Sequence, residues 1–414
     1  MQVDFRSAGW ASLSSSMSCT RFGGVPRFPC RESHRTHPPS APTRWFGVRG
    51  LRCAEMVNNG NVIEHENPLM VLFQPHPPGW NRPIGPVDPQ SAAAEPDAAI
   101  WALPATRVLI IILNFNGIAD TLACLDSLRA QTCQCFDVLV IDNGSRNDDL
   151  GRITTHFKAE IIALPGNLGW AGGNNVGIRL ALDRGFDFAC LLNNDTVLEP
   201  TALAELLAAA RLIAQPCLLH PAIAFFDDPS RWQLYPRPLP SSNKVIQRLQ
   251  AVHDIVEMQW AYGACLLLPA AVLQQVGLLD ERFFLQLEEN DYFRRAAAQG
   301  IPSFCARRAR ILHKESVSFG GRVTETKVYY QVRNSFLLAE KHTPTLRGFL
   351  GAARVILWSL RHQAQASDAR IATWLGFLSW LISANPLARA AREGVGDYAR
   401  RRFGQRPLVR RVVQ

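Results

Sequence analysis

Between Arg107 and Asp195 the chain repeats one pattern four times: a short apolar run, a polar turn-forming cluster, then a helical stretch. The runs cover residues 108–113, 136–141, 161–164 and 188–192. The first, Val-Leu-Ile-Ile-Ile-Leu, is continuous and β-branched, as expected of a central parallel strand buried on both faces. After it, Leu122, Leu125 and Leu128 recur at helical spacing, and residues 202–213 form an Ala/Leu-rich helical stretch after the fourth run. Such alternation predicts an α/β fold with a mostly parallel central sheet flanked by helices. Parallel strands all end at one edge, and open α/β sheets bind ligands there. Four clusters would meet at that edge: Asn114-Phe115-Asn116-Gly117, Asp142-Asn143-Gly144-Ser145, Asn167 with Gly169, Gly172 and Gly173, and Leu192-Asn193-Asn194-Asp195-Thr196. Singly, each reads as an ordinary turn. Together, with an Asp ending two of the four strands, they predict a ligand site.

The rest of the chain frames this core. Residues 1–104 are Pro-rich and lack a sustained period, so they are expected to be a disordered or accessory extension, with Met56 or Met70 as alternative starts. Residues 105–342 form the expected catalytic domain. Beyond the four runs, residues 260–268 read as a strand, 288–299 as a helix and 301–312 as an extended basic segment. Residues 343–414 are expected to form a helical, Arg-rich extension, with amphipathic or interfacial helices at 349–360 and 371–382. Basic charge collects at the ends: residues 1–56 hold eight Arg against three acids, residues 386–414 eight against two, and the stretch between sums to −2. That distribution argues against a nucleic-acid groove and leaves anionic phospholipid as a partner for the tail. No C-x-x-C pair occurs among the ten cysteines, and Cys133 and Cys135 flank a single residue. The pattern predicts a reduced, intracellular chain with core thiols such as Cys190 and Cys265. No signal-peptide h-region and no run of 18 uninterrupted apolar residues is found.

Chemistry follows from residue types. Asp142 suits a ribose hydroxyl pair or a base edge, because a carboxylate accepts two hydrogen bonds. Asp195 is a hard oxygen donor suited to Mg2+ or Mn2+ carrying substrate phosphates. The glycines at 169–173 make neither a G-x-G-x-x-G fingerprint nor a P-loop, but they let backbone approach a diphosphate before a helix opening near Asn174, capped there or at Asn175. Glu288, Glu289 and Asp291 crowd the first turn of a predicted helix. Acids are favourable at a helix N-terminus, but three of them after Phe283-Phe284-Leu285 point to partial burial and a raised pKa, as a general base requires. His313 reads evenly as structural or as a metal or diphosphate ligand, and Arg333-Asn334 as a solvated helix face.

Residues 107–340 resemble a family 2 glycosyltransferase of the GT-A (Rossmann-like) fold, especially the bacterial rhamnosyltransferase-type members. The resemblance rests on the four clusters, Leu125-Asp126-Ser127-Leu128, Tyr262-Gly263-Ala264, Leu279-Asp280-Glu281-Arg282-Phe283-Phe284, the acidic turn, and His313-Lys314-Glu315-Ser316, all in order. It implies that Asn114, Phe115, Asn116, Asp142, Ser145, Asn167, Gly169 and Asn194 bind the donor nucleotide. It further implies that Asp195 and His313 hold a divalent metal and that Glu289 is the catalytic base. Glu288, Asp291, Tyr262 and Gly263 would contact the acceptor or support the site. Asn193 stands where the family's metal motif starts with Asp, and Glu289 where the base is usually Asp. The implied activity is inverting transfer of a sugar, with rhamnose the leading candidate, from a nucleotide-diphosphate donor to a glycan or lipid-linked acceptor in cell-surface polysaccharide synthesis. The implied location is the cytoplasm, with docking on the inner membrane face weighed evenly against a packed helical extension. Two rivals remain at this point: an inactive nucleotide-sugar-binding module, and a nucleotidyltransferase, which would want a Gly-rich basic loop after the first strand.

Overall fold

Each of the four apolar runs forms a strand in the computed structural model, which describes residues 106–146, 149–238, 240–314, 323–365 and 373–406. The expected N-terminal extension and alternative starts lie outside the described residues, as do Glu315 and Ser316. The strands are β1 (Val108–Asn114), β2 (Phe136–Asp142), β3 (Glu160–Ala163) and β4 (Phe188–Asn193), interleaved with α1 (Ile118–Arg129), α2 (Asp149–His156) and α3 (Gly169–Asp183). β5 (Thr196–Leu198) and α4 (Ala202–Ile213) follow, then β6 (Leu218–Phe225), β7 (Trp232–Leu234), α5 (Lys244–His253), β8 (Ile255–Met258) and β9 (Cys265–Pro269). Next come α6 (Ala270–Val276), α7 (Glu288–Ala298) and β10 (Ser303–His313).

All belong to one ten-stranded sheet ordered β3-β2-β1-β4-β9-β6-β10-β5, with β7 on β6 and β8 on β10. β1, β2, β3 and β4 are mutually parallel, and β9 enters antiparallel between β4 and β6. β6 and β10 are parallel to each other, so both point the same way as β1. The ends of β1, β2, β4 and β10 therefore share one edge: Asn114 pairs with Asp142, and Leu113 with Asn193. Apolar side chains alternate to the two sheet faces, with Ile110, Ile112 and Val140 in one buried cluster and Ile111, Leu139 and Leu191 in the other. That two-sided burial is why these strands read as continuous apolar runs.

The chain then forms α8 (Glu325–His342), α9 (Leu346–Gln365), α10 (Trp374–Ile382) and α11 (Pro386–Ala399). These helices bury a third cluster around Tyr329, Tyr330, Ile356, Phe377 and Ala391, and Phe284 from the sheet-bearing part joins it. No helix among the described residues is long and apolar enough to cross a membrane.

Three expectations change. The segment read as one strand over 260–268 is strand only from Cys265. The helix expected to open near Asn174 starts at Gly169, so Asn174 and Asn175 lie inside it, where the Asn175 amide donates to the Leu279 carbonyl (3.0 Å). Cys133 and Cys135 form a disulfide rather than free thiols, whereas Cys124, Cys190, Cys217, Cys265 and Cys305 are free and buried.

Candidate active site

The donor side is organised by Asn114, which is completely buried. Its amide donates to Asp142 Oδ1 (2.9 Å) and Ser145 Oγ (3.2 Å), and its Oδ1 accepts from Thr121 (2.8 Å). Ser145 donates its hydroxyl to Asp142 Oδ1 (2.5 Å) and its backbone amide to Oδ2 (3.1 Å). Asp142 thus keeps one open acceptor position, on Oδ2, of the two that a ribose diol would use. Asn114, expected among the donor contacts, stands behind Asp142 and orients it. Phe115 is 43% exposed beside this group, and Asn116 bends the loop with a left-handed φ of 55°. Asn194 reaches the first turn of α1, donating to Thr121 Oγ1 (3.0 Å).

The glycine-rich segment is closed by its own neighbours. Asn167 Oδ1 accepts the Gly169 amide (2.7 Å), and the Phe284 carbonyl accepts the Trp170 amide (2.6 Å). Two of the unsatisfied N–H groups at the start of α3 are therefore taken, and the N-terminus is less open to a diphosphate than its glycines imply. Gly169 is required twice: its φ is +76°, and a Cβ there would lie 2.3 Å from the Phe284 carbonyl oxygen.

Asp195 and His313 meet because β5 pairs antiparallel with β10, setting Thr196 opposite His313. Asp195 Oδ1 lies 3.2 Å from His313 Nε2, and both side chains are buried. Burial alone would raise the Asp195 carboxyl. The His313 hydrogen bond and charge, with Lys314 behind them, outweigh it and hold the group below its ordinary value. His313 Nδ1 lies 2.7 Å from Gln233 Oε1, which also accepts from the Tyr262 hydroxyl (3.0 Å), while the Gln233 amide donates to the His313 carbonyl (3.0 Å). The Gln233 oxygen takes a proton from Nδ1, and Nε2 faces the carboxylate oxygen, where the ring can donate to Asp195 or, unprotonated, join it as a ligand. That donor pair fits a hard divalent ion, which takes one or two protein ligands and completes its shell with phosphate oxygens and water. Among the described residues no cluster of three or more His, Cys, Asp or Glu is placed to hold a metal.

Trp170 links this pair to the acidic turn. Its indole N–H donates to Asn193 Oδ1 (2.9 Å), so the Asn at the start of the metal motif is tied to the ring. A Cβ added at Gly263 would lie 3.6 Å from the same indole and 3.8 Å from the Glu289 carboxyl carbon. Asn193, two residues before Asp195, is thus bonded to an indole that shares the surroundings of Gly263 with Glu289.

The three acids of the turn separate by environment. Asp291 is fully buried and contacts Lys341 (2.6 Å), His342 (2.9 Å) and Arg295 (2.9 Å). Burial would raise it, but these partners hold it below the ordinary carboxylate range, so it anchors α7 to α8. Glu288 is buried with Oε2 unpartnered, and burial, then the charge of Glu289, push it well up. Glu289 stays half-buried beside Gly263, and loss of solvent raises it to about 7 against hydrogen bonds from its own amide and from Asn290. A group that titrates there is a competent general base near neutrality.

The turn leading into α7 is strained. Phe284, Gln286 and Leu287 all have left-handed φ (63°, 69° and 70°), at about 1–3 kcal/mol each for non-glycine residues. Arg333 and Asn334, expected on a solvated face, are completely buried beneath it. The helical period pointed to a helix there but gave no sign that a loop would fold over this face.

A family model described as "Glycosyl transferase family 2" matches residues 109–274, the segment that supplies the sheet edge, the Asp195 turn and Gly263. That segment is a glycosyltransferase family 2 domain. The transferase is 26% identical over 238 residues to a low-salt glycan biosynthesis hexosyltransferase of Haloferax volcanii, covering 55% of this chain and 74% of that one. It is 23% identical over 276 residues to a dTDP-rhamnosyl transferase of Shigella flexneri, covering 62% and 87%. A solved mannosyltransferase of Pyrobaculum calidifontis, in complex with GDP-Man and Mn2+, aligns with a TM-score of 0.40 and 14% identity over 72% of this chain and 86% of that one. The transferase uses a nucleotide-sugar donor, and the nucleotidyltransferase alternative falls away. Trp170, Gln233 and Thr121 are site residues that the sequence did not single out. Gln233 lies on the three-residue strand β7 at the sheet margin, which carries no motif.

Proposed function

We propose that this transferase moves a hexosyl unit, rhamnose foremost, from a nucleotide-diphosphate carrier to a hydroxyl of a glycan or lipid-linked acceptor, inverting the anomeric centre. The observation that carries the reading is Glu289: a half-buried carboxylate raised to about 7, beside Gly263 and Trp170. Glu289 takes the acceptor hydroxyl proton. The oxygen attacks the anomeric carbon opposite the diphosphate, the carbon–oxygen bond to the diphosphate breaks, and its electron pair leaves with the nucleotide. Asp142, with one acceptor position free, takes a single ribose or base hydrogen bond, and exposed Phe115 offers a face for the base. Asp195 and His313 would hold Mg2+ or Mn2+, which when bound neutralises charge on the departing diphosphate. The likeness to the dTDP-rhamnosyl transferase of Shigella flexneri supports the choice of rhamnose.

The test is a panel of nucleotide sugars assayed for protection against thermal unfolding, then for acceptor-stimulated nucleotide release, with the product anomer assigned by NMR. Retained configuration would remove Glu289 as base, and donor binding without release in any acceptor would leave a binding module.

The reading includes docking on the inner face of the cytoplasmic membrane. On α10, Leu375 (81% exposed), Leu378 (52%) and Ile382 (81%) form one helical stripe, and Leu346 and Leu350 stand exposed on α9 with Arg347 and Arg354. Apolar side chains among arginines suit an anionic lipid surface. Flotation with anionic liposomes should be lost in Leu375→Glu/Ile382→Glu and weakened by removing 386–414. Unchanged flotation of both variants refutes it.

A further inference from the structure

The turn before α7 is forced into a rare conformation, and α8 supplies what forces it. From one side chain, the Asn334 amide nitrogen shares its two N–H groups among the carbonyls of Phe283 (2.9 Å), Leu285 (2.8 Å) and Gln286 (2.8 Å). Next to it, Arg333 donates to the carbonyls of Arg282 (2.9 Å) and Phe283 (2.8 Å), and through its Nε to Asn334 Oδ1 (3.0 Å). A fourth Arg333 bond reaches the Gly404 carbonyl (2.6 Å), and the Gly404 amide donates to the Arg282 carbonyl (3.2 Å). Three carbonyls converging on one amide are incompatible with an extended or helical path for residues 283–287. They require the run of left-handed residues observed.

The same helix grips the far side of the acidic turn. Lys341 and His342, two turns beyond Asn334 on the same face of α8, hold Asp291. Glu289 therefore lies between two anchors made by one helix. The turn also reaches the donor side, because the Phe284 carbonyl receives the Trp170 amide.

We propose that Asn334, with Arg333 beside it, is a positioning residue of the transfer reaction: it holds the 283–287 turn in its strained path and thereby sets Glu289 into the cleft. The proposal rests on Glu289 being the base. Without Asn334 the left-handed residues relax toward ordinary φ, the start of α7 shifts, and water reaches the Glu289 carboxyl. The base then moves back toward its ordinary pKa and out of line with the acceptor.

The experiment is the pH profile of kcat for Asn334→Ala, alone and combined with Gln286→Gly. Asn334→Ala should lower kcat at least tenfold and move the acid limb down by half a pH unit or more. Glycine occupies the φ of +69° at position 286 without steric cost, so the double variant should recover at least threefold in kcat and regain the limb. Gln286→Gly alone should stay within twofold of wild type. A merely structural Asn334 would lower the unfolding midpoint and leave the limb and the kcat of folded enzyme untouched, which overturns the proposal. Should Asn334→Ala not fold, Gln286→Val loads the turn from outside the core and should reproduce the loss and the limb shift; wild-type values there overturn it equally. Glu289→Gln separates the two readings. If that variant still transfers sugar, the base assignment is wrong, whereas an inactive Glu289→Gln beside a normal Asn334→Ala sinks the clamp alone.

Discussion

Replacing Glu289 by Gln should trade activity for stability, and the trade should depend on pH. The wild-type carboxyl titrates near 7 in the folded chain against 4.5 when solvated. Each pKa unit is worth about 1.4 kcal/mol, so holding the ionised group in its half-buried position costs about 3 kcal/mol above pH 7. Between about pH 4.5 and 7 the folded state binds a proton that the unfolded state has released, so wild-type stability falls as pH rises. Glutamine keeps the shape and carries no charge. Glu289→Gln should therefore be more stable than wild type by about 2–3 kcal/mol at pH 8 and roughly equal to it at pH 4.5. Removing Glu289's charge also eases ionisation of Glu288 beneath it, which works in the same direction. Loss of a general base costs on the order of 10²–10⁴ in rate, so turnover should collapse while donor binding persists. Denaturant unfolding at a series of pH values, paired with single-turnover kinetics, measures both. A stability difference that is flat with pH would falsify the burial argument, and wild-type turnover would remove the residue from the chemistry.

Other outcomes follow from neighbouring contacts. Gly263→Ala puts a methyl at ordinary contact distance from Trp170 and Glu289. It should leave the unfolding midpoint nearly unchanged yet lower kcat/KM for the acceptor about tenfold, about 1.4 kcal/mol, with donor affinity retained, as steady-state kinetics and calorimetry would show. Gly169→Ala meets both a left-handed φ and the Phe284 carbonyl, so denaturation should show a loss of more than about 2 kcal/mol. Asp195→Asn removes the anionic member of the cation pair. Titration with the nucleoside diphosphate should show that added Mn2+ no longer tightens binding, and an unchanged metal effect would move the ion elsewhere.

Much of the fold could be read from local pattern because burial on both faces leaves a strand no freedom of composition. Residues 108–113 and 188–192 are apolar throughout, and the structure pairs them in register at the centre of the sheet. Helices of a single amphipathic face, such as Ala202–Ile213, were equally plain. The strands that escaped notice were β5, β7 and β8, of three or four residues each, and β6, a buried eight-residue strand whose run is broken by His220 and Pro221. The converging polar clusters were visible for a topological reason: parallel strands end together, so motifs at their ends must assemble.

What the chain could not state by itself was the environment of each charged group. Glu288, Glu289 and Asp291 are nearly equivalent in sequence, yet packing leaves one with a buried unpartnered oxygen, one half-buried beside Gly263, and one held by Lys341, His342 and Arg295. Asn114 and Asp142 likewise looked alike as polar strand ends until burial put one behind the other. Arg333-Asn334 carries no local sign of its role, since hydrogen bonds to the carbonyls of residues 282–286 exist only after α8 and that turn have packed. Sequence determined the sheet, its edge and the residue types gathered there, because periodicity is written residue by residue. Tertiary structure decided protonation, orientation and strain, because these depend on which solvent is lost and which partner arrives when distant segments meet.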